Sequence, residues 1–302
     1  MADLLVTGTV ALDDVKTPFG EVTDALGGSA TFFAYAASFF TSVKLTAVIG
    51  HDFPKEHLEL LAGRGVDLAG VQVTDGTTFR WKGEYGYDLN EARTLDTRLG
   101  VLADFKPDLP GHFRRCPYVF LANLDPVIQL DVLRSMERPR LCALDTMNFW
   151  IKGKPEALRA VLAEVDALLV NDTEARMLTA EPNLIRAART ILGWGPRVVV
   201  VKRGEYGALM VTPARFFFVP AYPLESVFDP TGAGDTFAGG FMGVLAGGDA
   251  ADEAALRRAI VYGSVIASFT VEDFSLNRLR RLTRADIDGR YRVFREMMQV
   301  EL

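Results

Sequence analysis

Seven short apolar runs recur along the chain, at residues 4–7, 44–49, 118–122, 140–144, 167–170, 198–202 and 208–211. Several are almost wholly apolar, the pattern of strands covered by helices on both faces, not of strands with one wet face. The segments between them, at 54–63, 154–165 and 184–192, carry apolar residues at helical spacing. Strand–helix alternation of this kind predicts a parallel sheet in an α/β, doubly wound fold. A chain of 302 residues with 49% hydrophobic content can bury one large core. No internal repeat, low-complexity run or long linker marks a second unit, so a single α/β domain over 1–302 is expected.

Two stretches break the rhythm. Residues 12–26 and 71–102, the latter with Gly76, Gly83 and Gly86 among Val, Thr, Phe, Trp and Tyr, read as β-hairpins. They predict a small sheet standing off the main body. The uncharged stretch 25–43 approaches the length of a membrane span, but Gly27, Gly28, Ser29, Thr31, Ser38, Thr41 and Ser42 interrupt it. A buried helix beginning at the two glycines is the expectation, with no membrane association.

A net charge of −6 argues against nucleic acid as a partner, since phosphate contacts need clustered Lys and Arg. The densest basic stretch, 278–284, reads as a solvated face. Cys116 and Cys142 lack metal-ligand or C-x-x-C spacing, and the apolar run at 4–6 leads into Thr7-Gly8-Thr9 as a strand and turn, not a secretory leader. A cytoplasmic location is expected.

The densest chemical signal is Asp229-Pro-Thr-Gly-Ala-Gly-Asp235, running into Thr236-Phe237-Ala238-Gly239-Gly240. Gly232 and Gly234 let the backbone fold tightly at a helix start and aim successive N–H groups at one point, where the helix dipole adds to them. Asp235 ends the turn as a carboxylate able to take a proton from an attacking hydroxyl. The string resembles the signature of the ribokinase family, the PfkB carbohydrate kinases. Members phosphorylate an alcohol of a sugar, nucleoside or related small molecule with ATP.

The resemblance implies a ribokinase-like fold with a β-sheet lid over the sugar site and a homodimer clasped through that lid. It implies Asp235 as general base and Gly232, Ala233 and Gly234 as the anion hole. Asn171 and Glu174, in Asn171-Asp172-Thr173-Glu174, match a motif that orders Mg²⁺ through water; the same residues also read as a capping box. Lys202, Gly204 and Gly207 match a segment lying against the nucleotide phosphates, and Tyr262 is placed near the adenine. Asp229 and Thr231 match a K⁺ site, although backbone N–H groups would satisfy the same oxygens. At the amino end, Asp13 matches the residue that grips substrate hydroxyls, and Gly27 and Gly28 match the family's Gly-Gly turn. The chain departs from the pattern where sugar and nucleoside kinases usually carry a substrate-contacting Asn: it has Thr31-Phe32-Phe33. Phe32 at that place points toward the cyclitol kinase branch. The resulting expectation is ATP- and Mg²⁺-dependent phosphorylation of a sugar or sugar-like alcohol, with a cyclitol or nucleoside kinase as the alternative and a non-catalytic binding module as the rival from another class.

Overall fold

The computed structural model describes residues 2–248 and 251–299. Its main sheet has nine strands, ordered β13-β12-β11-β10-β9-β8-β1-β4-β5. In chain order these are β1 (Leu4–Thr7), β4 (Val43–Gly50), β5 (Asp67–Thr74), β8 (Tyr118–Leu121), β9 (Leu141–Asp145), β10 (Ala167–Asn171), β11 (Val198–Lys202), β12 (Ala208–Val211) and β13 (Phe216–Val219). The strands from β5 to β11 pair in parallel, and β12 and β13 close one edge antiparallel. All seven apolar runs expected as strands lie in this sheet.

Successive strand residues feed opposite cores, as the two-residue side-chain period dictates. Leu4, Val6, Phe120 and Leu169 face one cluster, which also takes up α1 (Ser29–Ala37), α8 (Ala233–Gly247), α9 (Glu253–Thr270) and residues of α2 (Lys55–Gly63) and α10 (Arg284–Met297). Leu5, Val119, Leu121 and Leu168 face the other, against α3 (Pro126–Ser135), α5 (Pro155–Leu162) and α7 (Leu184–Leu192). Helix α1 starts directly after Gly28, and all nine of its residues are buried. Its neighbour α8 approaches backbone to backbone: a Cβ on Gly243 would meet the Ala37 Cα at 3.0 Å. Glycines at 239 and 243 therefore let the middle and later turns of α8 lie tightly against α1.

The second sheet has four strands, ordered β3-β2-β6-β7, built from β2 (Ala11–Thr17), β3 (Gly20–Gly27), β6 (Arg80–Tyr85) and β7 (Ala92–Arg98). Two hairpins from separate parts of the chain are joined by the parallel β2–β6 pair. The expected lid is thus present, but residues 71–74 belong to β5 of the main sheet. That strand is half exposed at an edge, so its residue pattern resembles a lid strand. No helix among the described residues is long and apolar enough to cross a membrane.

Candidate active site

In the strand order, β1 continues on one side to β4 and on the other to β8, a reversal point of the kind that opens a crevice at the strands' carboxyl ends. Gly8 lies there, where a Cβ would meet the Ala122 Cβ at 2.7 Å. Ser29, the first residue of α1, ties the two sides together. Its Oγ accepts from the Thr9 N–H (3.2 Å) and donates to the Asn123 carbonyl (3.2 Å).

Asp13 on β2 is buried and accepts from the Gly28 N–H. Burial, with Asp229, Asp235 and Asp14 adding negative field, pushes its pKa up to about 8. Its neighbour Asp14 instead turns to the surface and accepts from the Asp24 N–H (3.0 Å). Gly27 and Gly28 make the space: a side chain at 27 would overlap the Asp13 carboxylate, and Gly28 sits at φ +96° with the Thr9 carbonyl 2.5 Å from any Cβ. Phe32 lines the same small cavity as Asp13, Asp229 and Thr231, yet it is only 2% exposed. Its ring lies directly beneath Gly232. Thr31 is fully buried and Phe33 stacks on Phe120 at 4.2 Å between ring centres. The three residues are thus mainly core, with Phe32 supporting the glycine turn.

The turn itself enters α8 through Gly232 at φ +73°, the left-handed region that favours glycine. Asp229 braces it from below, accepting from the N–H groups of Thr231 (2.9 Å) and Ser275 (3.4 Å). Burial raises the Asp229 pKa against these bonds. Of the two expected K⁺ residues, Asp229 is therefore engaged with backbone N–H groups, and Thr231 supplies one of them. The Ala233 N–H is also spent, on the Pro230 carbonyl at 3.2 Å. Among the described residues, the N–H groups of Gly232, Gly234 and Asp235, at the positive end of the helix, donate to no backbone carbonyl.

Asp235 follows in the first turn of α8. Burial first, then the charge of Asp145, raise its pKa to about 7, with Lys202 pulling the other way. Lys202, the last residue of β11, donates to Asp145 Oδ2 at 2.7 Å, and its Nζ lies 3.1 Å from where a Gly234 Cβ would stand. Burial disfavours the ammonium, but Asp145, Glu174 and Asp235 together hold its pKa above the ordinary value. Asp145, the last residue of β9, is Lys202's partner, a role the sequence analysis did not assign to it. The signal was a lone carboxylate at the carboxyl end of a central strand.

Asn171 and Glu174 form a reciprocal capping box on α6 (Asp172–Thr179): Glu174 N–H to Asn171 Oδ1 at 2.7 Å, and Asn171 N–H to Glu174 Oε2 at 2.8 Å. One Glu174 oxygen remains outside this box, and burial together with Asp145 raises the Glu174 pKa to about 8. An incompletely compensated buried carboxyl beside Asp235 fits a hydrated Mg²⁺, which needs few protein ligands when phosphates supply the rest. Gly204 (φ +54°) and Gly207 (φ +82°) shape a tight turn after β11, closed by Arg203 N–H to the Gly207 carbonyl at 2.8 Å.

Tyr262 is not brought to this cluster. Its hydroxyl donates to Asp288 on α10 (2.8 Å), and its ring stacks on Tyr291 (4.1 Å) and meets Phe40 edge-on. Phe40 packs against the far end of α8, at Gly243 and Gly247, so Tyr262, expected near the adenine, sits in the packing between α9 and α10. Conversely, Tyr85 at the end of β6 enters the cluster from the lid, with Thr231 Oγ1 donating to its hydroxyl at 3.3 Å. Nothing in the local sequence of a hairpin announces such a contact.

If Asp235 is the base, it works only when ionised. The acceptor-directed kcat/KM is therefore expected to rise with pH along a limb centred near 7 and to be lost below it. A flat profile through that region would remove Asp235 from the role.

Comparison with known proteins finds relatives along most of the chain. A nucleoside kinase from Methanothermobacter thermautotrophicus is 39% identical over 293 residues, covering 90% of each chain. A cytidine kinase from Thermococcus kodakarensis is 32% identical over 252 residues, covering 80% of this chain and 88% of the relative. Among solved structures, a ribokinase II from E. coli described as putative and in complex with ATP and Mg²⁺ superposes with a TM-score of 0.79 at 19% identity, covering 97% of this chain and 100% of that one. The family model for pfkB family carbohydrate kinases matches residues 4–279, and the chain belongs to that family of kinases.

Proposed function

We propose that this kinase is an ATP-dependent nucleoside kinase. The observation that carries the acceptor class is its similarity, over at least four-fifths of its length, to two enzymes named for phosphorylating nucleosides. This favours the nucleoside alternative over a free sugar. The segment Thr31-Phe32-Phe33 does not oppose it, because the two phenylalanine rings are spent on packing.

In this reading Asp13 orients the acceptor by accepting from its hydroxyls. Asp235 takes the proton of the attacking hydroxyl as the oxygen bonds to the γ-phosphorus and the bond to ADP breaks. Gly232 and Gly234 donate to the phosphoryl oxygens as charge gathers on them. Lys202 and the Gly204–Gly207 turn lie along the phosphates, and Glu174 and Asn171 hold water around Mg²⁺. Bound Mg²⁺ supplies charge neutralisation on the phosphates. Asp229 and Thr231 keep the turn in shape; the same residues are the place for any K⁺ activation.

The test is ADP release from MgATP over a panel of nucleosides, pentoses, hexoses and myo-inositol, run in K⁺ and in its absence. Turnover is expected with at least one nucleoside, cytidine foremost, at a kcat/KM of about 10² or more above any free sugar, since unpaired buried polar groups penalise truncated acceptors. Preference for a sugar or cyclitol would overturn the acceptor class.

A further inference from the structure

Helix α1 offers the acceptor no polar side chain at the place of Phe32, yet the lid brings one in. Tyr85 is anchored by the Thr231 hydroxyl and lies within the fields of Asp229, Asp13 and Asp235. Burial and those charges keep the phenol protonated. Because Thr231 supplies the hydrogen in their mutual bond, the Tyr85 hydrogen is left to donate elsewhere. Among the described residues no protein oxygen accepts it.

The rest of the hairpin holds this side chain in place. Asn90, in the β6–β7 turn, donates to Glu205 Oε1 at 3.3 Å, and its Oδ1 would be 2.6 Å from a Cβ on Gly204. One hairpin therefore touches the glycine turn at Thr231 and the β11–β12 connection at Gly204, spanning the crevice from the acceptor side to the nucleotide side. An unspent O–H donor, enclosed near both Asp13 and Asp235, suits an oxygen that arrives with the ligand.

We propose that Tyr85 is a specificity-determining residue of the acceptor site, donating its phenolic hydrogen to one sugar hydroxyl of the bound nucleoside when the lid is closed. The assignment rests on the nucleoside kinase reading above. It supplies from the lid the polar contact that the Phe32 position lacks.

The experiment is calorimetric binding of cytidine, 2′-deoxycytidine and 3′-deoxycytidine, without ATP turnover, to the wild-type chain and to Tyr85→Phe, which keeps the ring and its packing. The variant is expected to bind cytidine about 5- to 10-fold more weakly, the worth of one hydrogen bond. That loss is expected to vanish for the one analogue lacking the contacted hydroxyl, a coupling that a purely structural role would not produce. Equal affinities in the two proteins, or the same loss for all three ligands, would overturn the assignment. Failure of the wild-type chain to bind any of them would overturn the nucleoside reading, and this assignment with it.

Discussion

Asp235→Asn is expected to lower kcat by about 10²–10⁴-fold, the usual worth of a positioned general base. Asn preserves the size of the side chain and its place in the first turn of α8, but it cannot take up the acceptor's proton. The acceptor and ATP are held by other groups, Asp13 on one side and the Lys202 and Gly204 region on the other, so KM for both is expected to move far less than kcat. The activity that remains is also expected to lose the pH limb near 7, because the group that produces it in the wild type is gone. Steady-state ADP release across pH checks both points. A variant retaining kcat within about threefold would show that the proton leaves by another route.

Gly232→Ala is expected to cost about 10²–10³-fold in kcat, comparable to losing one preorganised donor from an anion hole. Two constraints meet at this position. The residue sits at φ +73°, where a Cβ costs about 1–2 kcal/mol. The Cβ would also fall within the ring of Phe32, which is fixed in the core by α1 and α8 and cannot swing away. The turn is therefore expected to shift, carrying the Gly232 and Gly234 N–H groups off target while the remainder of the chain stays folded. The signature is a large fall in kcat with only a modest fall in melting temperature. Near-wild-type turnover would mean these donors do not face the transferred group.

Much of this was legible from residue order because burial and pattern coincide. Strands covered on both faces must be nearly all apolar, which is why the seven runs stood out. The string from Asp229 to Asp235 was legible because a φ-positive glycine, a brace and a carboxylate occupy consecutive positions. The signal failed where structure depends on distant partners. Residues 71–74 show the mixed pattern of any half-exposed strand, and only pairing with β4 assigns them to the main sheet. The three phenylalanines of β13 gave no strand expectation, being an edge whose Phe216 and Phe218 stay exposed. Tyr262 has the amphipathic character of a ligand contact, but Asp288, 26 residues downstream, takes its hydroxyl. Tyr85 is the converse: its partner Thr231 lies 146 residues further on, beyond the reach of any local pattern.

The parallel β2–β6 pair has a further consequence for how the molecule is made. The first lid hairpin ends at Gly27, but its partner strand begins only at Arg80, after α1, β4, α2 and β5. Joining them closes a long loop, an entropic cost met before the pairing returns any stabilisation. The cover over the carboxylates is therefore expected to be assembled late, as a single cooperative unit. Until then the β2 edge waits unpaired, the most exposed moment in the birth of the chain and the one in which association with another copy has most to gain.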